Sequence, residues 1–434
     1  MDLSRFSSKK FVQAARRTGS RVRRSLAEYR FYAYLAILGP GVIAASSGNE
    51  VSGIATYSSA GADYGYSLLW TFIPMTLFFV VAQEMCVRMG VVTGQGLADL
   101  IREQFGVRWT TLIMIALVIA NAGIIIAEFI GIAQAAELLG ITRYVAVPLT
   151  ALAIWWLVVR GTSKSVERVF LLMSLVFLSY IFSAFLAKPE WAAVGKEFIT
   201  PSFHLDSAYL FTVVALVGTT ITPFMQIYVQ SSVVEKGMDK EDLKIARADA
   251  ILGVVFANLI AAFIVISTAA TLHSKGIHIT DAGDAAQALV PFVGTYAKYL
   301  FAVGLFGAAM LAMGVLPLAT AYSLSEALGF EKGISRSFRE APIFLGMFTG
   351  LIAFGVIFAL IPGIPQFKLL LLTQCINGLL LPIILFAVVR LANNAEIMGE
   401  YRNKTKHNVF AYGTTAVISV LSFLLIGKTI ADMF

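Results

Sequence analysis

A helical membrane protein that crosses the bilayer about eleven times is the architecture this chain predicts, and three observations carry it. Of its 434 residues, 58% are hydrophobic and only 14% charged. The mean hydropathy of +0.80 lies outside what soluble domains of this size show. Apolar stretches of about 20 residues or more, the length a ~30 Å hydrocarbon core demands, recur from Tyr32 to Phe434. The basic residues fall in alternate connections between those stretches, the pattern left by the positive-inside rule. An all-α polytopic protein follows. The net charge of +7 is therefore no sign of nucleic-acid binding, because the basic side chains are not gathered into one patch.

Residues 1–30 carry Arg5, Lys9, Lys10, Arg16, Arg17, Arg21, Arg23, Arg24 and Arg30 and read as a basic cytoplasmic arm drawn to anionic lipid. No cleavage site of the kind a signal peptide needs follows them. The first span, about 35–60, holds the segment Ala45-Ser46-Ser47-Gly48-Asn49-Glu50-Val51-Ser52-Gly53. A charge at the bilayer centre costs about 2.5–3.5 kcal/mol, so Glu50 requires a partner or a watery cavity. The small polar residues and glycines around it let the helix unwind and free backbone carbonyls as ligands. Spans follow at about 68–91, 109–139, 144–160 and 168–187. The sixth, at 207–234, is interrupted at Gly218-Thr219-Thr220-Ile221-Thr222-Pro223. Five more lie at about 247–272, 294–327, 342–361, 367–391 and 409–432.

Basic clusters at Arg160/Lys164/Arg168, Lys236/Lys240/Lys244/Arg247, Lys332/Arg336/Arg339 and Arg390/Arg402/Lys404/Lys406 alternate with nearly uncharged connections at 61–67, 140–144 and 362–366. This places the protein in the plasma (inner) membrane with a cytoplasmic N-terminus and an extracytoplasmic C-terminus. Cys86 and Cys375 both fall in spans, so neither a disulfide framework nor a thiolate metal site is expected.

Five spans separate the two breaks, so the halves enter the membrane in opposite directions. The chain divides into a first inverted repeat at 31–187, an extracellular connection at 188–206 and a second repeat at 207–392. A cytoplasmic loop with a peripheral eleventh span completes it at 393–434. Paired broken helices that meet at the midplane are the sequence mark of a transporter site. A fixed carboxylate at the break favours a cationic substrate over the organic solutes that neutral breaks bind through helix N-termini. An intramembrane enzyme would need a nucleophile beside a base, or two metal-binding histidines on one helix face, and the chain has neither. A sensor would need a signalling domain, which the pattern does not contain. No cofactor, nucleic acid or obligate protein partner is expected.

Several motifs resemble one family. Gly39-Pro40-Gly41 through Trp70, with Ala60-Gly61-Ala62, Gly65-Tyr66 and Leu68-Leu69-Trp70, is similar to the first span of the Nramp metal-ion transporters. Arg88-Met89-Gly90-Val91-Val92-Thr93-Gly94 resembles the end of that family's second span. Ala127-Glu128 with Gly131, Gln374, and Ile397-Met398-Gly399-Glu400 match its third span, its tenth and the loop that follows. The resemblance implies the LeuT-like fold of two inverted five-helix repeats. It implies a divalent-metal site built from Glu50, Thr222 and Thr219, with Asn49, Ser52, Gly53 and Gln374 as further contributors.

The departures from the family pattern bear on selectivity. Where the family has Asp-Pro-Gly-Asn, this chain reads Glu50-Val51-Ser52-Gly53, and its Met-Pro-His becomes Thr222-Pro223-Phe224. Replacing the thioether by Thr222 leaves oxygen ligands, which suit Mg²⁺ or Ca²⁺ with Mn²⁺ tolerated. The family's proton-handling positions align with Phe224, Gln230 and Ile125, leaving Glu128 as a pathway or supporting acid. This pattern is similar to the Nramp-related magnesium transporters of bacteria. That likeness implies uptake of Mg²⁺ without proton coupling, in a site widened at Gly53 and Thr222. The alternatives are a proton-coupled carrier of Mn²⁺ and transition metals, and a carrier of an organic solute.

Overall fold

The computed structural model describes residues 39–431, apart from 162–165, 167, 168, 170–176, 281, 287, 288, 291–293, 295, 296, 335 and 363–365. The basic arm, the start of the first span and part of the span at 168–187, with Lys164 and Arg168, lie outside the described residues. Every described element of secondary structure is helical.

The first span is α1 (Pro40–Ser46), a 3-10 turn (Ser47–Asn49) and α2 (Val51–Tyr64). Then come α3 (Phe72–Thr93), α4 (Leu97–Leu138), α5 (Arg143–Arg160) and α6 (Leu178–Leu186). A short helix the hydropathy did not predict, α7 (Trp191–Ile199), occupies the connection before the sixth span. That span is α8 (Ser207–Thr220) and α9 (Pro223–Glu235), followed by α10 (Leu243–Thr271), α11 (Ala297–Leu328), α12 (Pro342–Ala359), α13 (Gln366–Asn393) and α14 (Thr405–Ala431). Among the described residues, nine helices are long and apolar enough to cross a membrane, the sixth span counting as one. The first span is not among these nine. The helix α4 begins earlier than its hydropathy predicts and turns sharply at Gly106, where φ is +80°.

Burial sorts the helices. In the sixth span 89% of the most apolar stretch is buried, against 28% in α5 and α14 and 33% in α12. The sixth span is therefore central and the others face lipid. Trp109, Leu149, Trp156 and Phe423 project their apolar side chains outward accordingly, as expected where the solvent is hydrocarbon.

Two groups of helices meet at the centre. Helices α1, α2, α3 and α9 pack on α10 or on one another, while α4 packs along α11, α12 and α13. Close approach depends on small residues, as is usual between membrane helices. A Cβ at Gly41 would come within 2.5 Å of the Ala250 backbone, and one at Gly253 within 2.6 Å of the Gly41 carbonyl. The Asp249 carboxylate accepts the Gly41 amide at 2.6 Å, tying the start of α1 to α10.

Several basic side chains of the described connections form ion pairs at one end, called here the basic end. There Arg88 and Arg247 both pair with Glu84, at 3.0 and 2.7 Å. Arg88 also donates to the Tyr401 carbonyl and to Asn403, linking α3 to the connection before α14. Lys332 bridges Asp99 and Glu326.

Candidate metal-ion site

The breaks of the first and sixth spans lie side by side. Glu50 is the residue between the 3-10 turn and α2, in an extended conformation with φ −66° and ψ 175°. Its side chain is fully buried. Gln374, from α13, donates from Nε2 to Glu50 Oε1 at 2.6 Å. Glu50 Oε2 and Gln374 Oε1 are both buried and have no hydrogen-bond donor. Two electron-rich oxygens on contacting side chains are thus left without a positive partner, an arrangement costly in a membrane interior unless a cation serves both.

Glu128 does a different job. Its Oε2 accepts the Val51 amide at 3.1 Å and its Oε1 the Ser52 amide at 3.4 Å. Those are orphan donors at the first turn of α2, and a carboxylate there also complements the helix dipole. Glu128 therefore positions the break from the α4 side. Gly131, one turn further along α4, makes the approach possible, since a Cβ there would meet Val51 at 2.3 Å.

In the second break, Thr222 is the residue before α9, and Pro223 occupies the first helical position, where its missing N–H costs nothing. The Thr222 hydroxyl donates to the Gly218 carbonyl at 2.9 Å and to the Thr219 carbonyl at 3.0 Å. It satisfies carbonyls at the end of α8 while its oxygen lone pairs stay available. Thr219 donates to the Gly48 carbonyl at 3.4 Å, joining the two breaks directly.

The remaining expected contributors differ in placement. Asn49 is buried, but its amide donates to the Ala257 carbonyl of α10 at 3.2 Å, so it ties the break to α10. Ser52 is buried within the first turn of α2. Gly53 was expected to widen the site. Instead the space beside it is occupied, since a Cβ there would lie 2.3 Å from the Gly48 carbonyl and 2.8 Å from the Thr219 hydroxyl. The missing side chain lets the two breaks touch.

The three positions aligned with proton handling are all buried. Ile125 lies against Gly355 of α12. Phe224 is in the first turn of α9. Gln230 donates to the Gln95 carbonyl at 3.0 Å and so links α9 to the connection between α3 and α4.

Two residues near the breaks escaped the sequence reading. Tyr57, one turn beyond Ile54 on α2, is buried and its hydroxyl shares a 3.1 Å hydrogen bond with that of Thr220. It bridges the two broken spans on the side away from the basic end. Met225 is buried in α9, with its methyl group and sulfur 2.6 and 3.7 Å from where a Gly48 Cβ would sit. Nothing in their spacing distinguishes these from ordinary core side chains. Among the described residues no three His, Cys, Asp or Glu side chains form a chelating cluster.

The comparisons with known proteins point the same way. The family described as natural resistance-associated macrophage protein-like (Nramp) matches residues 41–428. The chain belongs to the Nramp family of metal-ion transporters. A divalent metal cation transporter from Deinococcus radiodurans is 29% identical over 409 residues, covering 90% of this chain and 89% of the relative. A divalent metal cation transporter from Bacillus subtilis is 27% identical, with 92% and 93% covered. Among solved structures, a manganese transporter from Eremococcus coleocola superposes with a TM-score of 0.77 at 20% identity, covering 93% of this chain and 88% of that one. A nucleobase-cation-symport-1 family transporter superposes with a TM-score of 0.53 at 13% identity, covering 92% and 93%. The fold is thus the LeuT-like one of Nramp proteins, and the chain is a multi-pass membrane transporter with a divalent metal ion as substrate, not an enzyme.

Proposed function

We propose that this Nramp protein carries hard divalent cations, Mg²⁺ foremost with Mn²⁺ accepted, into the cytoplasm by alternating access and without moving protons. The observation that supports it most is the buried Glu50 Oε2, with no donor, in contact range of a Gln374 side chain whose own Oε1 has none. A divalent cation here meets a carboxylate, an amide oxygen and the hydroxyl and carbonyl oxygens of Thr222 and Thr219. Oxygen donors in that number, with water completing the shell, suit Mg²⁺, which sheds water reluctantly. Asn49, Ser52 and Gly53 support the break around those donors.

The uncoupled part of the reading rests on Ile125, Phe224 and Gln230, none of which exchanges protons near neutral pH, the property that makes histidine suited to that task. The direction rests on the basic end built by Arg88, Arg247, Lys332 and Arg402. By the positive-inside rule it faces the cytoplasm, with the N-terminus on the same side and the C-terminus opposite. The domain division proposed from the sequence follows the same two breaks.

A second reading, proton-coupled transport of Mn²⁺ and other transition metals, has one observation in its favour. The Met225 thioether reaches the first break from one turn beyond Thr222, and soft sulfur favours softer ions. The relatives named above as divalent metal cation and manganese transporters fit either reading.

Uptake of Mg²⁺ and of Mn²⁺ into proteoliposomes carrying an internal pH dye separates the two. Saturable Mg²⁺ entry without acidification is the expected result. Mn²⁺ entry accompanied by acidification, with no Mg²⁺ flux, would replace the first reading by the second.

A further inference from the structure

The largest cavity described in the bundle lies away from the ion site. It has a volume of about 550 Å³ and sits between α3, α8 and α14. Trp70, His204 and Tyr209 stand at its outer end, Val217 and Ile221 at its inner end, and Ala416 on its α14 wall. From Tyr209 to Ile221 the cavity follows α8 for about 18 Å at 1.5 Å per residue. That is about the depth of one leaflet of a ~30 Å hydrocarbon core. The outer end carries an indole and a phenol, the groups that settle at membrane interfaces, beside the His204 imidazole. Below them the lining is hydrocarbon.

The cavity ends in an unusual place. Ile221 lies in the two-residue gap between α8 and α9, next to Thr222, and is fully buried. Two smaller apolar grooves, of about 380 and 330 Å³, lie against α4 with α13 and against α3 with α10. Neither reaches a break. Only this cavity connects the bilayer to the hinge of the sixth span among those described.

We propose that it is a lipid site, holding one acyl chain of a phospholipid from the leaflet opposite the basic end, with the chain's tip against Ile221. The chain is then part of the surface on which α8 turns relative to α9, and α14, outside the two repeats, serves as the wall that retains it. A chain that fills one leaflet's depth matches the cavity's length, and the aromatic rim matches the level of the headgroup.

Native mass spectrometry of the full chain in nanodiscs of a defined phosphatidylethanolamine/phosphatidylglycerol mixture tests this without any ion present, so it stands or falls apart from the substrate assignment. Wild type is expected to retain one phospholipid under activation that strips the loosely bound ones. Ala416→Trp fills the cavity from α14 and should lower the retained fraction at least fivefold, about 1 kcal/mol. Val409→Trp, on the exposed face of α14 outside the cavity, should leave it unchanged. Equal retention by Ala416→Trp and wild type overturns the proposal. Should Ala416→Trp fail to fold, wild type crystallised with a phospholipid brominated along its chain decides instead. A bromine anomalous peak between Val217 and Ala416 supports the site, and the absence of one there overturns it.

Discussion

Glu50 concentrates the chemistry of this protein in one side chain. With Oε1 held by Gln374 and Oε2 free of donors, replacing it by glutamine keeps the volume and removes the charge. Glu50→Gln is expected to cut Mg²⁺ uptake at least tenfold, about 1.4 kcal/mol in site affinity or more, while thermal stability holds or rises because a buried charge is gone. Uptake near the wild-type rate would remove Glu50 from the ion site. Tyr57 offers a second reading of the same neighbourhood. Tyr57→Phe deletes one hydroxyl of a buried pair with Thr220, a loss of about 0.5–1.5 kcal/mol. A faster rate of outer opening is its expected signature, seen as quicker reaction of a cysteine placed at Ser59 with an impermeant thiol reagent. Gly53→Ala is the steric test, since its methyl would meet the Gly48 carbonyl at 2.3 Å and should abolish folded yield.

The broken helices depend on partners that neither could supply alone. No side chain of α2 caps its own N-terminus, and Glu128 of α4 does so from 77 residues away. Glu128→Gln keeps the shape but loses the charge, and a carboxylate at a helix N-terminus contributes about 0.3–2 kcal/mol. A fall in Tm with Mg²⁺ uptake reduced but measurable is expected. Complete loss of uptake at unchanged Tm would mean that Glu128 touches the ion. At the basic end of α9, Ser231 donates to Glu326 at 2.7 Å and Glu235 accepts from Tyr322, so α9 is held against α11. Glu326 also accepts the Ala98 amide at 3.1 Å and pairs with Lys332 at 3.2 Å. Glu326→Ala leaves Lys332 and the start of α4 without that partner, a change in the range of about 3–5 kcal/mol for a broken buried pair. Thermal unfolding of the purified protein should report it as the largest Tm decrease of these variants.

Across the molecule, hydrogen bonds tie the helices together on both sides of the two breaks. Tyr57 with Thr220 bridges the spans on one side, and Gln230 with Gln95 and Ser231 with Glu326 join α9 to its neighbours on the other. Transport then requires that one group of helices move against the other. If Mg²⁺ enters alone, each ion carries two charges down the potential, and each charge gains about 2.3 kcal/mol per 100 mV. A potassium-diffusion potential, negative inside, should therefore accelerate uptake into proteoliposomes. External pH between about 6 and 8 should change it little, because no histidine stands at the breaks. Uptake that follows the pH gradient and ignores the potential would exclude the uncoupled reading.

The helical class, most of the spans and the two breaks were legible in the chain alone, because hydrocarbon imposes length and apolarity locally, residue by residue. Glu50 stood out for the same reason, as a charge has no place in that solvent without a purpose. The family motifs added Gln374 as a contributor to the site, and the structure supplied its hydrogen bond to Glu50, 324 positions away. What hydropathy could not show was how each polar group in the break is used. Asn49 turns to α10, Thr222 bonds the end of α8, Glu128 caps α2, and the gap at Gly53 is closed by Gly48 and Thr219. Each of these depends on which helices touch and at what depth. Tyr57 and Met225 stayed hidden because a core tyrosine or methionine looks alike in sequence wherever it points. Membrane chemistry acts on every residue of a span separately, whereas a binding site exists only where distant segments meet.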